Sequence, residues 1–384
     1  MTDFQIRRAN VSDRAELLDV LNAVFGGAQK RAFDFARSHP YLFHDARVAD
    51  HTIALDGSRP EGGRIIGCVG AYPYPMRIGG VTFRTAGIGQ VATLPEARGR
   101  GVMTALLEAV CRDLDGGGFD LAWLGGDRQR YGRFGWAIGG STMRFEFFER
   151  YLPAPPDEAA VRPLDWARDF ARFRDHVAAL PDALAMPDEE LLMLATGQPL
   201  TGWALGESFV VTSRGGATVQ FADGRPDEIA LLLAHLLRLE RRKEGDRWQV
   251  SVHCAATPSP LLQTCQERYW HMTNGPTWMW RTCSLRPLLE KVCRAGAGRV
   301  ACGSGELGLA NTQTGQAATL VCRRGRFTVR GGAGEGAYRL STTELSEVCF
   351  GVCPPDLLLP GLPADSPFRR LLPLRHHLSQ SFAL

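Results

Sequence analysis

The spacing of apolar residues along this chain alternates between the two-residue repeat of strands and the 3.6-residue repeat of helices. Residues 4–8 read as a strand, and Leu17, Leu18, Val20, Leu21 and Val24 then recur at helical spacing. They predict a helix over 12–25 with Ser12 as N-cap and Asp13 and Glu16 in its first turn. Three β-rich runs follow at 47–54, 64–77 and 81–93, the last two joined by Ile78-Gly79-Gly80, a hairpin signal. Val102, Met103, Ala105, Leu106, Ala109 and Val110 predict a helix over 101–114 that stops at Gly116-Gly117-Gly118. A strand at 121–124, a helical turn near 128–134 and a strand at 141–148 complete a mixed α/β unit.

Leu152-Pro153-Ala154-Pro155-Pro156-Asp157 continues neither strand nor helix and marks a boundary. Beyond it the first block recurs in weaker form: strands at 208–213 and 217–222, an apolar helix over 227–241 and a strand at 248–253. A third block opens near Cys283 with a helix at 285–294, then glycine-punctuated strands, then Ser341-Thr342-Thr343-Glu344, a capping box for a helix to Phe350. The expected domains are 1–150, 151–282 and 283–384, in an α/β (α+β) architecture.

The chemistry concentrates in Gly87 to Gly135. A strand ends at Thr93 and a helix begins within Arg98-Gly99-Arg100-Gly101-Val102-Met103-Thr104. Amides at a helix start have no partner within the helix and lie at the positive end of its dipole, so they suit a pyrophosphate. Gly99 and Gly101 let phosphates approach the backbone, and Arg98 and Arg100 add charge. Alone, such a tetrapeptide reads more readily as a solvated helix start; its place after a strand and behind a hairpin reverses that and points to anion binding. Before the helix at 227–241 stands Asp223-Gly224-Arg225-Pro226, whose single glycine and proline leave fewer free amides.

On these residues the sequence resembles the Gcn5-related N-acetyltransferase (GNAT) superfamily, whose loop signature Gln/Arg-x-x-Gly-x-Gly/Ala is matched by Arg98 to Met103 except at Met103 itself. That departure, with Tyr131-Gly132-Arg133-Phe134-Gly135-Trp136, is similar to the enhanced intracellular survival (Eis) type. The resemblance implies tandem acetyltransferase-fold domains, the second degenerate and without coenzyme, and a sterol-carrier-like C-terminal domain. It implies acetyl-CoA as co-substrate, with Val91, Ala92 and Thr93 pairing to pantetheine, the 98–104 loop holding the phosphates, and Gly126 and Asp127 lining the coenzyme. Tyr131 is implied as general acid and the carboxylate of Leu384 as general base. The implied reaction is transfer of acetyl to a primary amine of a small cationic acceptor, such as an aminoglycoside or polyamine, by direct attack in a ternary complex. Asp34, Asp45, Asp182, Asp188, Glu189 and Glu190 are available to attract that cation. A homo-oligomer, in the Eis type a hexamer, is also implied. The rival reading is a non-catalytic acyl-CoA or lipid-binding sensor, which has no need of a proton donor at Tyr131.

Composition narrows the partners. The 44 basic and 41 acidic residues give a formal net charge of +3, too even to predict a nucleic-acid or membrane-surface partner. No apolar run reaches membrane-spanning length and no secretory leader is visible. The ten cysteines form no C-x-x-C pair, and His253, Cys254, Cys265 and His271 lack ligand spacing, so no metal is expected and the thiols read as reduced in a cytoplasmic protein.

Overall fold

The computed structural model describes residues 3–29, 34–57, 63–197, 200–213, 218–244, 249–296 and 303–382. Two compact units emerge, the first from Met1–Gly139 and Trp278–Arg375, the second from Gly140–Thr277 with His376–Ala383. The fold is mixed α/β, with a seven-stranded sheet in each unit.

In the first unit the strand order is Phe4–Arg8, His51–Asp56, Ile65–Tyr72, Thr85–Thr93, Leu121–Leu124, Trp278–Thr282 and Ala137–Gly139. Helix Val102–Gly116 buries Val102, Leu106 and Val110 of the expected stripe together with Leu107 and Leu114, while Met103, Ala105 and Ala109 are only half-buried. The long β-rich runs of the sequence are interrupted. Pro73 and Pro75 cannot donate to a ladder, so the strand Ile65–Tyr72 stops before them. Met76–Ile78 and Val81–Phe83 then form the hairpin expected around Gly79-Gly80. At 47–54 the strand begins only at His51, because Asp45–Val48 is a helical turn. Asn10, not Ser12, starts the first helical segment: its side chain accepts the Ser12 amide in a reciprocal capping box with Asp13.

The same unit contains a four-stranded sheet ordered Arg326–Gly331, Ala317–Arg323, Gly305–Asn311 and Tyr338–Leu340, flanked by helices Leu285–Ala295 and Thr342–Phe350. The capping box at Ser341 and Glu344 is formed as its sequence predicts.

The second unit's sheet runs Arg162–Pro163, Thr201–Leu205, Ser208–Thr212, Thr218–Asp223, Gln249–Cys254, Thr142–Phe148 and His271–Gly275. Its core joins Phe145 and Phe147 to Leu232, Leu233 and Leu236 of helix Pro226–Glu244. Thr142–Phe148 therefore belongs here, hydrogen-bonded between Gln249–Cys254 and His271–Gly275, and does not close the first α/β unit as its position in the chain suggests. In the first sheet, Trp278–Thr282 instead pairs with Leu121–Leu124 and Ala137–Gly139. Alternation fixes which face of a strand is buried, but it does not choose the partner strand.

Candidate active site

Thr85–Thr93 and Leu121–Leu124 lie parallel, paired from Thr85↔Leu121 to Ile88↔Leu124, where the ladder ends. The longer strand continues through Gly89–Thr93, paired among the described residues on its other edge by Ile65–Tyr72. Along Val91, Ala92 and Thr93 no strand pairs on that side among the described residues, which makes the end of the ladder a candidate cleft for an extended ligand. The Thr93 hydroxyl is buried and has no hydrogen-bond partner among the described residues.

A bulge shapes this edge. Cys68 faces Ala92 and Gly70 faces Gly89, so Gln90 and Val91 together oppose Val69. Gln90 is buried at φ 46°, left-handed backbone that a non-glycine residue seldom adopts. Its amide lies 2.5 Å from the Tyr72 hydroxyl, which is 2.8 Å from His51 Nε2, while His51 Nδ1 meets the Val48 carbonyl at 3.1 Å. Burial pushes the His51 pKa down to about 4, so the ring is neutral near pH 7. With its one proton on Nδ1 for Val48, Nε2 must accept from Tyr72. The phenol oxygen is then left to accept from the Gln90 side-chain amide. The sequence carried no sign of this chain, since its members are spread over three strands.

At the far end of the cleft, Pro95–Ala97 forms a 3-10 turn, and Gly99 and Gly101 have φ of 79° and 78°. Gly101 is the N-cap of Val102–Gly116; no side chain caps that end and no acidic residue lies in its first turn. The amides of Val102, Met103 and Thr104 therefore begin a 15-residue helix with its dipole uncompensated. Arg98 is exposed beside them. Arg100 reaches back to Asp56 in a long ion pair of 3.4 Å. A further cation arrives from elsewhere: Arg133 Nη2 donates to Thr104 Oγ1 at 2.7 Å, over the face of Phe134. Sequence reading missed Arg133 as part of this rim; its clue was its place inside the Tyr131 motif.

Tyr131 ends the short helix Arg128–Tyr131, whose first amides are capped by Asp127, the Oδ1 accepting from Arg130 N at 2.8 Å. The Asp127 side chain thus serves the local turn. Gly126 provides the space: a Cβ there would lie 2.4 Å from the Tyr131 ring. The ring packs edge-on to Trp136 at 6.5 Å and is buried. Burial raises the phenol pKa, against the opposing pull of Arg130, so the hydroxyl is protonated at neutral pH.

Other expected residues fall elsewhere. Leu384 lies outside the described residues. Asp34 caps the turn at Phe35–Ser38, Asp45 pairs with Arg14 at 3.1 Å, Asp188 with Arg174 at 3.3 Å, and Asp182 accepts the His377 amide. Glu189 and Glu190 lie in the first turn of Asp188–Gly197. Among the described residues no His, Cys, Asp and Glu gather as metal ligands, and no helix is long and apolar enough to cross a membrane.

Comparison with known proteins bears on the fold and on the N-terminal segment. Residues 5–139 match the family model of the acetyltransferase (GNAT) domain. A Streptomyces coelicolor protein named as an uncharacterized N-acetyltransferase is 27% identical over 212 residues, covering 52% of this chain and 49% of that protein. The chain thus spans about half the length of the curated relative it matches. The fold extends over the whole chain. A GCN5-related N-acetyltransferase from Kribbella flavida superposes with a TM-score of 0.69 at 19% identity, covering 99% of this chain and 100% of that one. Eis1 from Mycobacterium abscessus superposes with a TM-score of 0.63 at 16% identity, covering 99% of each chain.

Proposed function

We propose that this protein transfers the acetyl group of acetyl-CoA to a primary amine of a small cationic acceptor, within a ternary complex. The observation that carries the reading is the parallel ladder that ends at Ile88↔Leu124 in front of a glycine-capped helix. The amides of Val102, Met103 and Thr104 hold the pyrophosphate, Gly99 and Gly101 give it access, and Arg98 and Arg100 supply charge at the rim. The backbone of Val91, Ala92 and Thr93 pairs with pantetheine, and the orphan Thr93 hydroxyl gains a partner there. The Val91 N–H polarises the thioester carbonyl.

The amine nitrogen attacks the carbonyl carbon, the C–S bond breaks, Tyr131 passes its proton to the departing sulfur, and the proton released by the nitrogen goes to the general base, which the same reading takes to be the Leu384 carboxylate. A phenol kept protonated by burial suits that role, and Gly126 gives its ring room beside the cleft. The same reading takes the chain as Eis-type, its segment after Cys283 as the sterol-carrier-like part, and its assembly as a homo-oligomer, checked by light scattering.

Incubation of the full chain with acetyl-CoA and a panel of aminoglycosides, polyamines and lysine peptides, with thiol release followed over time, tests the proposal. Release that depends on the amine is expected. Tight acetyl-CoA binding without release for any acceptor would favour the sensor.

A further inference from the structure

The turn that carries Tyr131 is short, an α-helical stretch at Arg128–Tyr131 followed by a 3-10 stretch at Gly132–Phe134. Helical pieces of this length have no cooperative stability of their own. A phenol that must meet a sulfur atom needs a firmer support than that.

The support comes from the distant end of the first unit. The Gly132 carbonyl accepts from Thr343 Oγ1 at 2.7 Å, and the Phe134 carbonyl accepts from Arg281 Nε at 2.9 Å. The Gly135 carbonyl lies 3.0 Å from Ser346 Oγ, which accepts from the Thr282 amide at 2.9 Å and divides its one proton between Gly135 and the Thr342 carbonyl at 2.7 Å. Arg281 is itself fixed: its side chain is 5% exposed, it grips Asp115 through two bonds of 2.6 and 2.9 Å, and its guanidinium lies over the Trp136 ring. Gly135 stands at φ 98°, and a Cβ there would meet Thr342 Cγ2 at 2.7 Å, so the helix Thr342–Phe350 packs directly on the turn. Two carbonyls of one four-residue stretch thus accept from side chains 147 and 211 positions away in sequence, and a third shares the Ser346 hydroxyl with Thr342.

We propose that strand Trp278–Thr282 and helix Thr342–Phe350 form a brace for the Tyr131 turn, with Thr343, Arg281 and Ser346 as positioning residues for the proton donor. The brace rests on the reading of Tyr131 as that donor. It assigns a task to the C-terminal segment of the first unit that requires no ligand of its own. A brace differs from ordinary packing in acting on the reaction only through Tyr131.

Thr343→Val and Ser346→Ala, singly and together, are to be compared in the wild-type chain and in a Tyr131→Phe chain. In the wild-type chain the pair is expected to lower kcat roughly tenfold, while acetyl-CoA affinity changes less than about twofold. In the Tyr131→Phe chain the same pair is expected to change kcat less than about twofold, because coupled sites are not additive. Thr343→Ser keeps the hydroxyl and is expected to keep turnover, which separates the lost hydrogen bond from a folding defect. An equal loss in both backgrounds would assign these residues to packing and overturn the brace. Wild-type turnover in the pair, beside a Tyr131→Phe chain that has lost it, would overturn the brace and leave the donor intact. Undiminished turnover in Tyr131→Phe itself would overturn both.

Discussion

The two units each contain a parallel strand pair whose ladder ends early, and they treat the opening differently. In the first unit, pairing stops at Ile88↔Leu124, and the strand runs on to a helix with two left-handed glycines, no side-chain cap and no acid in its first turn. In the second, Thr218–Asp223 pairs with Gln249–Cys254 only through Thr218↔Ser251 and Val219↔Val252. Beyond that point the chain's own tail is seated: Ser379 Oγ and the Gln380 amide both reach Gln220 Oε1, at 3.0 and 3.3 Å, and Phe382 packs on Phe221. The helix that follows begins with Pro226, Asp227 and Glu228, and the Arg225 amide donates to Ser208 Oγ at 2.8 Å. Acidic side chains already compensate its dipole and would repel a phosphate. One architecture thus leaves donors available, and the other fills its opening from within.

The comparison breaks first at the catalytic step. If only the first opening does chemistry, Tyr131→Phe is expected to lower turnover by about two to four orders of magnitude, the range a positioned acid contributes. Acetyl-CoA affinity, read by calorimetry, should stay near that of the unchanged protein. Residual turnover at the wild-type level would mean that the proton comes from another group.

The second opening should register its changes in stability. Phe382 is 1% exposed, and Phe382→Ala is expected to cost roughly 3 kcal/mol, the lower end for a buried aromatic truncation. The effect should appear as earlier unfolding of the second unit in hydrogen exchange, with protection around Val102–Gly116 retained. An undisturbed second unit would show that the tail is not part of its core.

Acid should act on the same unit. Burial, with help from His253, His376 and Arg144, holds the His377 pKa down to about 3. Its Nδ1 lies 2.9 Å from Thr142 Oγ1 and its amide donates to Asp182 at 2.8 Å, so the neutral ring belongs to the tail's seat. A histidine depressed on folding binds its proton first in the unfolded chain, so its contribution is complete above an unfolded pKa near 6.5 and is lost as pH falls toward 3. Between pH 8 and pH 5 this single group is expected to account for about 2 kcal/mol. Denaturant midpoints of the wild-type chain and of His377→Phe over that range check the sign, and an unchanged pH slope in the variant would remove His377 as the cause.

What the sequence made legible was local. The hairpin at Gly79-Gly80, the capping box at Ser341 and the glycine-flanked helix start after Arg98 depend on residues a few positions apart, and each formed where its spacing predicts. The choice of sheet for Thr142–Phe148 and Trp278–Thr282 depended on partners more than a hundred residues away and was not readable. The Gln90 bulge was hidden for a similar reason, because it is stabilised by Tyr72 and His51 on other strands. The whole brace of the Tyr131 turn was likewise absent from the pattern, since Thr343 and Ser346 read simply as residues of a well-capped helix.

The finest distinction between the openings lies in matched glycines. Gly101 has φ 78° with no atom within 4 Å of an added Cβ, whereas Gly224 has φ 117° and a Cβ there would meet Ser208 Oγ at 2.1 Å. Alanine at either position incurs the left-handed cost of about 1–2 kcal/mol. At Gly101 the space is open, so the loop can relax into an ordinary conformation, and the loss should fall on the geometry of the amides that follow. Gly101→Ala is therefore expected to weaken acetyl-CoA binding roughly tenfold with a small change in melting temperature, since about 1.4 kcal/mol is a factor of ten. At Gly224 the backbone is wedged against Ser208, which also receives the Arg225 amide, so Gly224→Ala should lower the melting temperature and leave coenzyme affinity unchanged. Measured side by side, the two alanines test whether the openings differ in function or only in local sequence. A fall in affinity from Gly224→Ala equal to that from Gly101→Ala would place coenzyme in the second unit as well.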